Sequence, residues 1–266
     1  MMFKDCRFRF LLIDIKHKEE SSMGRNKVKL LSKGSQYWIR MLTNDRSLLK
    51  KFASEIKKHI PNVGECIIEW VSPLEEDDFC EYDGDDMLRK LCIHRSLLGF
   101  WPIKTQGSQW DALGYIECKQ QAGCSDQQVD AKRIFLLVEA KAHKDEMKKG
   151  STGATSPASL AIIRNTFSKT QKHLGATPIN NWTTTYYQFA NRLAHLFIFK
   201  EEFKLDAYLI FLNIINDCTY KPTSRRDMED ALQQAKVSLG VDHSSPTLED
   251  FGVIELFFDV ASKKFI

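Results

Sequence analysis

The spacing of apolar and polar positions changes period along the chain, and each change marks an element. Residues 6–15 alternate charged and apolar at first, which predicts an N-terminal strand, and the polar, Ser/Lys-rich stretch from Lys16 to Gly34 predicts a loop. A second strand is expected at Tyr37 to Leu42, then a helix at about 45–59 that ends before Pro61. Glu65 to Val71 reads as a strand, and the acidic stretch Glu75 to Asp86 leads into a short helix around Met87 to Ile93. Asp111 to Cys118 and Lys132 to Lys141 are two strands joined by a polar connection, a hairpin with a long loop. Ser156-Pro157 supplies an N-cap with proline in the first turn and Gly175 suits the position past the end, so 157–174 is expected to be helical. A helix at about 181–199, a buried strand at Ala207 to Ile215, a helix at 225–239 between Ser224 and Gly240, and a strand at Gly252 to Val260 complete the series. Strands interleaved with helices in this order predict an α/β fold, a mixed central sheet flanked by helices. Two regions are expected: a basic segment at 1–60 packed on the core, and an α/β domain at 61–266.

Composition narrows the class. The longest purely apolar stretches, Ile134 to Val138 and Tyr208 to Leu212, are far too short to cross a bilayer, so no membrane partner is expected. The apolar run Phe10 to Ile13 is interrupted on both sides by charges and does not match a secretion signal, which predicts a cytoplasmic protein. Seven cysteines, an odd number with no C-x-x-C pair, point to reduced and mostly buried thiols rather than a disulfide scaffold or a zinc ribbon. The net charge of +3 conceals an asymmetry: residues 1–60 hold 15 Lys/Arg against 6 Asp/Glu, and residues 61–100 hold 3 against 10. Such a pair of segments binds a polyanion or pairs internally, and the charges alone leave both open.

Chemistry concentrates at the end of the most apolar strand. Ile134 to Val138 are apolar at consecutive positions, as in a strand buried on both faces, and the strand then runs Glu139-Ala140-Lys141. Glu139 and Lys141 project from one face, and charges placed there need partners. If the hairpin is symmetric about residues 124–126, paired positions add to about 250 and Asp111 lies across from Glu139. Opposed carboxylates repel unless something positive stands between them, and a divalent cation is the simplest candidate.

Asp111 in Trp-Asp-Ala-Leu-Gly, followed by a hairpin and Glu139-x-Lys141 in Leu-Val-Glu-Ala-Lys-Ala-His, resembles the PD-(D/E)XK nuclease superfamily, the restriction-endonuclease-like fold. Trp110 stands where the superfamily's name has proline. The resemblance runs from Glu65 to about Asp217, through Phe100-Trp101-Pro102 and Tyr186-Tyr187-Gln188-Phe189-Ala190-Asn191-Arg192, and leaves the basic N-terminal segment unexplained. It implies an Mg²⁺- or Mn²⁺-dependent endonuclease or exonuclease acting on nucleic acid, DNA above all, with pairing of two copies as an expected assembly. Asp111, Glu139 and the Ala140 carbonyl would hold the metal, and Lys141 would orient the attacking water and offset charge on the phosphate.

Further residues are weaker candidates. Related nucleases often add a Gln from the following helix, which makes Gln188 a candidate; Gln188, Arg192 and His195 recur at i, i+4 and i+7 there. Arg192 is a candidate phosphate contact. Lys144, Lys148 and Arg164, with Lys149, Lys169 and Lys172, could form a surface that tracks the backbone, or could be ordinary solvated side chains. His143 and Glu146 lie just beyond the site, and Glu69, Glu75 and Glu81 are equal candidates for an extra acidic ligand. Two competing readings stay open: a catalytically silent binding or interaction protein on the same fold, and a strand-end Glu139–Lys141 salt bridge with no function. A kinase reading fails, because His94-Arg95-Ser96 lacks the catalytic Asp and no Gly-rich loop lies upstream of the lysine.

Overall fold

Among the described residues six strands lie in sequence order in one curled mixed sheet, β1 (Ile67–Ser72), β2 (Ala112–Glu117), β3 (Arg133–Lys141), β4 (Ala207–Ile215), β5 (Val253–Asp259) and β6 (Lys264–Phe265). β1, β2 and β3 form an antiparallel meander, β3, β4 and β5 are parallel, and β6 returns antiparallel on β5. The structure, a computed structural model, describes residues 33–103, 109–118, 133–148 and 150–266. Ser32–Ile266 group as one unit and Met1–Leu31 as another. The strand expected at 6–15, the β2–β3 connection and Lys149 lie outside the described residues.

Eight α-helices surround the sheet among the described residues: α1 (Gly34–Asn44), α2 (Arg46–Lys58), α3 (Gly84–Lys90), α4 (Asp145–Lys148), α5 (Pro157–Leu174), α6 (Tyr187–Phe197), α7 (Arg225–Leu239) and α8 (Leu248–Phe251). Parallel strands need a crossover, and α5 and α6 with a π-helical turn at Ile198–Glu202 supply the one from β3 to β4. Alternation of side chains divides the core in two. Ala112, Leu136, Val138, Ile210, Leu212 and Ile254 face α1 and α2, while Leu113, Phe135, Leu137, Leu209, Phe211 and Val253 face the helices of the other side. Phe52 on α2 is fully buried and stacks on Trp70 of β1 at 5.1 Å and on Phe265 of β6 at 5.6 Å, so one ring closes the curl between the two edge strands. Burial of such a side chain contributes about 1.5–3 kcal/mol. Gly114 is required where it stands, because a Cβ would lie 2.7 Å from the Glu69 carbonyl oxygen on β1.

Two expectations are corrected. Tyr37 to Leu42 is not a strand but the middle of α1, whose buried positions Trp38, Ile39, Leu42 and Thr43 follow helical spacing. The aromatic and branched residues of Tyr-Trp-Ile favour a strand locally, and packing on the sheet overrides them. Asp45, whose carboxylate accepts from Ser47 N and Leu48 N, starts α2 immediately afterwards. The cysteines are not all reduced and buried: Cys66 and Cys118 are disulfide-bonded, and Cys80 and Cys218 are exposed. The bonded pair continues the β1–β2 register beyond Ile67 and Glu117, with Cα atoms 4.4 Å apart, the spacing of a pair without ladder bonds. Among the described residues no helix is long and apolar enough to cross a membrane.

Candidate active site at the open end of the β2–β3 hairpin

Ala112 lies across from Val138 and Leu113 across from Leu137, the register inferred from a symmetric hairpin. One further step puts Asp111, just before β2, across from Glu139. The Asp111 Oδ2 accepts the Ala140 N–H at 2.7 Å, in place of a ladder bond to Trp110. In an extended strand a residue's N–H and C=O face the same neighbour, so the Ala140 carbonyl is turned to the Asp111 side as well.

Glu139 is 1% exposed and both of its oxygens are paired. Oε2 accepts from Arg192 Nε and Nη2, each at 2.6 Å, and Oε1 accepts from the Lys141 ammonium. Lys141 also donates to Gln188 Oε1 at 2.8 Å. Arg192 is fully buried, donates to the Gln109 carbonyl at 2.6 Å and lies 4.1 Å from the Trp110 ring centroid. The polar row on α6 is thus an internal one: Gln188 holds Lys141, Arg192 holds Glu139, and His195 bonds the Asn191 carbonyl between Trp101 and Trp110. Arg192 is therefore a counter-ion inside the protein, not the phosphate contact expected of it. Its burial requires such a partner, since an unpaired buried guanidinium is very costly.

The upstream carboxylate is resolved by a single bridge. Tyr82 pairs with Trp110, with Trp110 N donating to the Tyr82 carbonyl at 3.0 Å, and the next step along brings Glu81 across from Asp111. Glu81, Asp111 and Glu139 thus form one row across three adjacent segments. Glu69 is instead bonded to the Tyr115 hydroxyl at 2.6 Å, and Glu75 is exposed with its backbone N–H on Asn44.

Electrostatics distinguish the three acids. Burial, and then the neighbouring Glu139, push the Asp111 carboxyl up to about 8. Burial would raise Glu139 too, but Arg192 and Lys141 outweigh it and hold Glu139 below its ordinary value. Partial burial raises Glu81, opposed by Arg40 and a hydrogen bond from Gln36 and assisted by Glu139. Lys141 is held above its ordinary value because Glu139 and Asp111 outweigh its burial, whereas burial drives His195 down to about 4 and leaves it neutral.

The remaining candidates lie outside this cluster. His143 accepts from Asp145 N at 3.2 Å and packs on Tyr220, and Glu146 lies on α4. Lys144 is exposed and bonded to Asp227 at 3.0 Å; Lys148 and Arg164 are exposed on α4 and α5; Lys169 pairs with Glu202. Among the described residues no three His, Cys, Asp or Glu side chains are grouped so as to hold a metal ion. The chain matches no protein-family model, no curated protein and no solved structure.

Proposed function

We propose that this protein is a metal-dependent nuclease with a restriction-endonuclease-like core, hydrolysing phosphodiester bonds in DNA. The observation that carries the reading is the Asp111–Glu139 pair at the open end of the β2–β3 hairpin, with Lys141 on the same face as Glu139. A carboxyl pushed to about 8 beside a second carboxylate is the kind of perturbed group that functional sites gather.

The donors fit a small hard divalent cation such as Mg²⁺ or Mn²⁺ in kind: carboxylate oxygens of Asp111 and Glu139 and the backbone oxygen of Ala140. A divalent cation bound there would supply a water of lowered pKa and a polarised phosphate. The protein's own groups do the rest. Gln188 and Glu139 fix the Lys141 ammonium, which is placed to orient the attacking water and to stabilise charge developing on the phosphate. Arg192, immobilised by Trp110 and Gln109, keeps Glu139 ionised. Cleavage of both strands of a duplex would use two copies. A cytoplasmic setting belongs to the same proposal.

A second reading, a catalytically silent nucleic-acid-binding protein on this fold, is favoured by one feature: Glu139 is already neutralised by two cations without any metal. Titration with Mg²⁺ or Mn²⁺, followed by calorimetry, separates the two. The nuclease reading expects saturable binding that is lost in Glu139→Gln. Equal heats in the variant and the unaltered protein support the silent one.

A further inference from the structure

Helix α1 crosses the same end of the sheet as the carboxylate row, on the face opposite to the one from which Glu139 and Lys141 project. Gly34 N donates to the buried Asp217 at 3.2 Å, beyond the end of β4, and Thr43 and Asn44 bond the Pro73 carbonyl at 3.2 and 2.8 Å, at the start of the segment that carries Glu81. Between these two anchors the Arg40 guanidinium carbon lies 4.8 Å from the centroid of the ring of Phe79, two residues before Glu81.

Three carboxylates, Glu81, Asp111 and Glu139, stand near three cations, Lys141, Arg192 and Arg40. Lys141 and Arg192 are committed to Glu139, Gln188 and Gln109. Arg40 differs. Among the described residues it forms no ion pair within 4.0 Å, and its buried Nε has no hydrogen-bond acceptor. A guanidinium offers five donors in a rigid fork that matches phosphate oxygens, and one held on an aromatic ring loses little freedom when it binds.

We propose that Arg40 is a phosphate-binding residue of this site, contacting the backbone of the bound nucleic acid. The inference rests on the nuclease reading for its ligand, and the experiment separates the two.

Binding of a labelled DNA duplex is measured by fluorescence anisotropy in EDTA, from 50 to 200 mM salt as in the usual range for such slopes, for the unaltered protein, Arg40→Ala and Arg40→Lys. Arg40→Ala is expected to bind roughly tenfold more weakly, with a log K against log salt slope shallower by about one. Arg40→Lys is expected to recover the slope but not the full affinity, because the fork is gone. Far-ultraviolet dichroism confirms that each variant is folded, and if the alanine variant is not, the lysine variant carries the comparison. Unaltered affinity and slope in the folded variants would overturn the role of Arg40 while leaving the nuclease reading intact. An unaltered protein that binds no nucleic acid overturns both.

Discussion

Asp111→Asn is expected to make the metal-free protein more stable, although it removes a residue placed at the centre of the site. The folded carboxyl titrates at about 8 against an ordinary value of 3.8, so the native state keeps a proton that the unfolded chain releases. Stability from this group is therefore fully present below pH 3.8 and is lost as pH rises toward 8. At about 1.36 kcal/mol per pH unit the loss reaches about 4 kcal/mol at pH 7, and partial exposure of Asp111 reduces it to roughly 2 kcal/mol. Asparagine keeps an oxygen that can accept the Ala140 N–H and carries no charge to face Glu139. A gain of this size in a unit of this length raises Tm by roughly 4–8 °C at pH 8. Melting curves from pH 5 to 9 in EDTA, with and without added Mg²⁺, check the reasoning. The unaltered protein should lose stability as pH rises and regain it with Mg²⁺; the variant should show neither response. A variant that melts lower at pH 8, or an unaltered protein indifferent to pH, would refute it.

Arg192→Met should cost about 3–5 kcal/mol in urea unfolding, because Glu139 stays buried with one of its two cations gone, and Arg192→Lys should recover only part of the loss. Reduction of Cys66–Cys118 should destabilise the protein by up to about 4 kcal/mol on the chain-entropy estimate for a closed loop of this length, read as a fall in Tm with dithiothreitol that the Cys66→Ser/Cys118→Ser double variant no longer shows.

The sequence was most readable where local chemistry and tertiary packing agree. Helix α5 begins with Ser156 as cap and ends at Gly175 in the left-handed region, and β4 matches its apolar run at both ends. The assumption of a symmetric connection places Asp111 opposite Glu139, and the β2–β3 pairing has that register. Helix α1 was misread because strand-forming residues carry a helical burial pattern that is interpretable only once the sheet beneath it is known. Glu81 could not be selected from three equivalent acids, because a single Tyr82–Trp110 bridge, invisible to periodicity, brings it into the row. The role of Arg192 needed the fold for a similar reason: position on a helix face does not say whether the partner across from it is phosphate or Glu139.

The most direct test of the nuclease reading is nicking of supercoiled plasmid in Mg²⁺, with the unaltered protein and Lys141→Ala side by side. The account predicts nicking by the unaltered protein that disappears on chelation and in Lys141→Ala. Nicking that persists in Lys141→Ala and in chelator, or its absence from the unaltered protein on plasmid, linear duplex and single strands alike, would contradict it.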